Sequence, residues 1–178
     1  MATRKRQLIL ILVALGCVLC LDQITKYFVL RELEAYSVSR RDHLDDFFWI
    51  THERNPGLVG GMFRDVPVIA YSAPVIATFI LFYLYRHIEP HSRLQSVAYG
   101  MVAGGAVGNL VDRCRFGEVI DFLQFHFYFI PFNFPWKYYP AFNFADSAIC
   151  TGVFLLIVSW YVVKQPRANS QTNVSDAV

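Results

Sequence analysis

Charge is scarce in this sequence. Only 17% of its 178 residues are Asp, Glu, Lys or Arg, while 55% are apolar and the mean hydropathy is +0.36. Soluble domains carry about 25% charged residues, so that class is a poor fit, and no basic patch offers a nucleic-acid face. Cysteine is sparse too. Cys17, Cys20, Cys114 and Cys150 fall in or beside apolar stretches with no βαβ pattern around them, which reads as small apolar filling rather than a redox motif. The five histidines, His43, His52, His87, His91 and His126, show no metal spacing. His87 and His91 are four apart but lack the glutamate of a zinc-protease helix. No serine or cysteine has an evident histidine base. Neither a metal nor a cofactor is expected.

What the chain does have is long apolar runs. Four spans are predicted, at about 7–30, 66–85, 94–111 and 142–163. The second carries no charge at all, and twenty residues at about 1.5 Å rise match a hydrocarbon core of about 30 Å. The first span could be confused with a cleaved leader, but it runs on through Asp22-Gln23-Ile24-Thr25-Lys26 with no small-residue cleavage site, so it is expected to stay. Arg4, Lys5 and Arg6 precede span one, Arg86 and Arg93 lie between spans two and three, and Lys164 and Arg167 follow span four. Short basic segments face the cytoplasm, so both termini are expected there. The longer segments, 31–65 and 112–141, fall on the outer side. One domain is expected over 1–163, with a polar cytoplasmic tail over 164–178 that has no packing signal.

Local signals refine this picture. Gly100, Gly104 and Gly108 recur every four residues, a small-residue stripe that lets a neighbouring helix come close. Phe47-Phe48-Trp49-Ile50-Thr51 is strand-prone, which predicts a short sheet on the outer membrane face, and Asn55-Pro56-Gly57 is a turn signal. The segment 122–141 is crowded with Phe, Tyr and Trp, which suit either an interfacial belt or a part in substrate binding.

The polar residues of the spans gather at one end. Asp22 and Lys26 sit late in span one, Asn109, Asp112 and Arg113 close span three, Asp121 follows a turn at Gly117, and Asn143 and Asp146 open span four. A charged side chain at membrane depth costs roughly 2.5–3.5 kcal/mol on insertion scales, so acids, amides and an arginine gathered at one depth suggest a site. Two close carboxylates share one proton; the ionised partner can take a proton from water while the protonated one polarises a carbonyl. That chemistry is amide hydrolysis. The same acids could serve an ion relay, but the paired broken helices at the bilayer midplane that mark a transporter are missing. A purely structural scaffold would explain the glycines but not the acids.

These pieces resemble the lipoprotein signal peptidases (signal peptidase II) of bacteria. Leu21-Asp22-Gln23-Ile24-Thr25-Lys26, Asn55-Pro56-Gly57, the run from Gly104 to Arg113, Val119-Ile120-Asp121-Phe122 and the run from Phe142 to Ile149 stand in the family's order. The resemblance implies a membrane all-α bundle of four transmembrane helices with a small β-containing cradle on the outer face, near residues 36–65. It implies an inner-membrane aspartyl endopeptidase that cuts prolipoproteins just before a diacylglyceryl-modified cysteine, with no obligate protein partner. Asp121 and Asp146 would form the catalytic dyad. Asn55, Gly57, Asn109, Arg113 and Asn143 would line the site, with Asp22, Lys26 and Asp112 as supports. The chain departs from the family pattern at Leu58-Val59-Gly60-Gly61-Met62-Phe63, and its aromatic loop is longer than usual.

Overall fold

A computed structural model describes residues 2–38, 47–58, 92–127, 129–132, 134 and 137–164, with isolated positions between 59 and 91. Half of the expected second span lies outside the described residues, as do 39–46, most of the segment 58–63 and the tail from 165. Among the described residues, helix α1 runs Ala2–Glu32, strand β1 Phe48–Asn55, helix α2 Arg93–Phe116, strand β2 Val119–Phe125 and helix α3 Phe144–Lys164. These helices coincide with the first, third and fourth expected spans. Windows at Arg4–Glu32 and Phe144–Tyr161 are long and apolar enough to cross a membrane.

Helix α2 lies between α1 and α3, packed against both. Its ends follow from its sequence. The Ser92 hydroxyl accepts from the Gln95 N–H, and Gly117 closes the helix in the left-handed region at φ 78°, donating its N–H to the Arg113 carbonyl. Glycines govern the packing. A Cβ on Gly100 would meet the Ile11 carbonyl at 2.5 Å, one on Gly104 the Leu15 carbonyl at 2.8 Å, and one on Gly108 the Asp22 carboxyl at 2.6 Å. The predicted stripe therefore faces α1, and its partners advance in the same order, so α1 and α2 run parallel. Gly105 abuts Ala145 and Ile149, while Gly152 abuts Ala98 and Val102. That order is reversed, so α2 and α3 are antiparallel. The C-terminal ends of α1 and α2 thus meet the N-terminal end of α3.

The sheet lies at this same end. Strand β1 pairs antiparallel with β2, Phe48 opposite Phe125 and Asn55 opposite Val119, with a bulge between Ile50 and Glu53. The strand-prone stretch thus continues from Phe48 into a longer strand, whose partner comes from the segment carrying Asp121. On its other edge β2 receives the returning chain: Leu123 and Phe142 exchange both backbone hydrogen bonds, and His126 pairs with Tyr138. Val29, Ile120 and Phe122 form a buried apolar cluster that seats the sheet on α1, with Leu30, Leu33 and Phe144 around it.

Because Gly104 meets backbone atoms of α1, which cannot rotate away, Gly104→Leu should force the helices apart at a cost of about 1–3 kcal/mol or more. Thermal unfolding in detergent should show a clear drop; an unchanged melt would mean that this contact does not set helix spacing.

Candidate active site

The N-terminus of α3 is built by its own sequence. Asn143 precedes the helix, and its side-chain oxygen accepts from the Asp146 N–H at 2.9 Å, while the Asp146 carboxyl accepts from the Asn143 N–H at 3.3 Å. This is a capping box made from Asn-x-x-Asp. The expected span 142–163 takes Asn143 into the helix; Asn143 is instead its cap. A third donor, the Ala145 N–H, goes to Asp22 of α1 at 3.0 Å, so a residue of another helix also caps α3.

Lys26 is the hub. Its side chain is 2% exposed, and its ammonium reaches Asp22 at 2.8 Å, Asp112 at 2.7 Å and the Asn109 side-chain oxygen at 3.1 Å, which uses all three donors. Gln23, inside the Leu21–Lys26 motif, donates to Asp112 at 3.0 Å and to the Gly108 carbonyl at 3.3 Å. Asp112 also accepts the Ile120 N–H at 3.2 Å and so holds the residue before Asp121. No local pattern reveals this role, because Asp112 and Gly108 lie on another helix.

Asp121 and Asp146 are joined through the fully buried Asn143. The Asn143 amide donates to Asp121 at 2.7 Å, and its backbone N–H faces Asp146. Asp146 receives the Asn109 amide at 2.8 Å, and Asp121 the Asn55 amide at 2.9 Å. Both amide orientations at Asn109 and Asn143 are set by the network, since the Asn109 oxygen accepts from Lys26 and from Asn143 at 3.1 Å.

Asn55 is held in turn by its own turn. Its side-chain oxygen accepts the Gly57 N–H at 2.9 Å, closing an Asx-turn through Pro56. Arg113 donates to the Gly57 carbonyl at 2.6 Å and to the Asn109 carbonyl at 3.3 Å. Gly57 and Arg113 therefore position Asn55 and Asn109. Every residue expected at the site falls in this one network.

Burial is the main force on Asp121, which is 2% exposed, and the Asp146 carboxyl adds to it; together they push its pKa up to about 7, against the pull of the Asn55 amide, Lys26 and the Asn143 amide. Among the described residues, no group of three His, Cys, Asp or Glu side chains could hold a metal ion.

Two predictions follow from this geometry. Lys26→Met leaves Asp22 and Asp112 buried without their counter-ion, and should cost roughly 3–5 kcal/mol in thermal unfolding; a native melt would remove Lys26 as the hub. For Asp121, a carboxyl with a raised folded pKa makes the folded state lose stability as pH climbs from 3.8 through about 7. Asn55→Ala deletes a donor that favours the anion, so its loss of stability with rising pH should be larger than the native chain's and should reach above about 7. Parallel pH series of melts that superimpose would contradict this.

A sequence model of the family described as Signal peptidase (SPase) II matches residues 14–162. The chain is 39% identical over 157 residues to a lipoprotein signal peptidase of Syntrophotalea carbinolica, covering 85% of this chain and 91% of that one. The lipoprotein signal peptidase of Syntrophus aciditrophicus is 40% identical over 163 residues, 86% of this chain and 93% of the relative. Two solved bacterial membrane enzymes share the fold, one at 26% identity with a TM-score of 0.69 over 88% of this chain and 94% of that one. The other, at 24% identity, has a TM-score of 0.74 over 92% and 94%. With the family matched across both acids and all three described helices, this chain belongs to the signal peptidase II family.

Proposed function

We propose that the chain is a membrane aspartyl endopeptidase that removes signal peptides from prolipoproteins, cutting just before the diacylglyceryl-modified cysteine. The observation that carries this reading is the coupling of Asp121 and Asp146 through one buried asparagine. In this reading the chain is a bundle of four membrane helices in the bacterial inner membrane, with residues 66–85 as the second. Both termini are cytoplasmic and the site lies near the outer surface, where a lipidated cysteine anchored in the outer leaflet arrives.

The pair carries one proton between its two carboxyls and holds a water. The ionised carboxyl takes a proton from that water as its oxygen attacks the scissile carbonyl carbon, and the protonated carboxyl donates to the carbonyl oxygen. Collapse of the tetrahedral intermediate breaks the C–N bond. The leaving nitrogen receives a proton, and the products are a peptide ending in a carboxylate and a lipidated cysteine with a free amine. Asn109, Asn143 and Asn55 hold the carboxyls in place, and a pKa of about 7 lets Asp121 exchange its proton at neutral pH.

Asp121→Asn and Asp146→Asn should each leave the protein inserted and cut processing of a diacylglyceryl-modified precursor by roughly a thousandfold or more. The native enzyme should keep its rate in a chelator. Turnover retained by both single variants, or lost on chelation, would sink the dyad.

A further inference from the structure

Beyond the two acids lies a hairpin that the hydrolysis does not use. Past β2 the chain leaves at Phe127, whose N–H donates to the Lys137 carbonyl at 2.8 Å, and it returns with the Tyr139 N–H on the Phe125 carbonyl at 2.9 Å. Its rings form two groups: Phe47 touches Phe125, Phe127 and Phe129, and Phe134 touches Phe127 and Phe132, while His126 lies between Trp49 and Tyr138. His126 is buried, but the outermost ring of each group is not. Phe129, Phe132 and Tyr138 are 62–64% exposed, and Phe47 and Phe48 are exposed beside them.

Two observations say what covers this face. From 122 to 142 the sequence holds no Asp or Glu and one Lys, Lys137, which suits a surface of phosphate headgroups over buried acyl carbon. The return leg also passes from Phe142 straight into Asn143 and the apolar window Phe144–Tyr161, so the hairpin is rooted at the end of a helix long and apolar enough to cross a bilayer. We propose that the open ring face of hairpin 127–139 inserts into the headgroup–acyl boundary of the outer leaflet, with phospholipid as its partner. Seated there, the hairpin sets the depth of β2, and with it Asp121, relative to the lipid. The inference rests on α3 crossing the membrane, which belongs to the proposed function.

The full-length chain, with Cys17, Cys20, Cys114 and Cys150 replaced by serine, would carry an environment-sensitive fluorophore at Phe132→Cys. Phe129→Cys serves as a second hairpin position and Phe154→Cys, 63% exposed on α3, as the control. In vesicles of phosphatidylcholine and phosphatidylglycerol, a nitroxide placed near the lipid headgroup should quench both hairpin labels at least about threefold more than aqueous iodide does. The Phe154 label should respond to a nitroxide deep in the acyl chains. Hairpin labels quenched by iodide while Phe154 stays lipid-quenched would overturn the hairpin proposal and leave the membrane reading intact. Iodide quenching at all three would overturn the membrane reading as well.

Discussion

Lys26 brings a positive charge into a region from which water is almost excluded, and its three N–H donors go to three acceptors on two helices. Each acceptor then uses its remaining capacity on an element that carries an acid. Asp22 takes the Ala145 N–H at the start of α3, Asp112 takes the Ile120 N–H beside Asp121, and Asn109 turns its amide to Asp146. A buried ion cluster of this kind adds little net stability over a well-packed apolar one, because desolvation offsets the Coulomb gain. Its yield here is registry. One ammonium sets where the first residues of α3 and the edge of β2 sit relative to each other.

That registry depends on close helices, which the glycines of α2 allow. Without them Asp22 could not reach past Gly108 to the backbone of α3. The chain path supplies the rest. Because Leu123 and Phe142 are paired, Asp121 and Asn143 are brought together at one edge of the sheet, and the capping box of α3 then holds Asp146 against Asn143. Two acids far apart in sequence thus meet through one local pairing and one helix cap.

Much of this was legible in the residues. The apolar runs marked α1, α2 and α3 within a few positions, the glycine stripe named its own face, and the polar residues fell at one end because charge at membrane depth has few other places to be. Three features were not read. Strand β2 was missed as the partner of β1, since Val119–Phe125 is a short apolar run with no hairpin turn linking it to Phe48–Asn55. Gln23 reads as an ordinary helix residue until α2 is beside it. Asn143 falls within the expected span 142–163 although Asn-x-x-Asp before an apolar run is a cap signature, so that signal is present in the sequence itself.

The central claim, that Asp121 and Asp146 work as a pair with one proton between them, can be read by infrared spectroscopy. The enzyme would be labelled with carbon-13 aspartate and held in lipid at the pH of its highest activity. The account predicts a protonated-carboxyl band that disappears in both Asp121→Asn and Asp146→Asn. Two ionised carboxylates at that pH, or a band that survives both replacements, would contradict it.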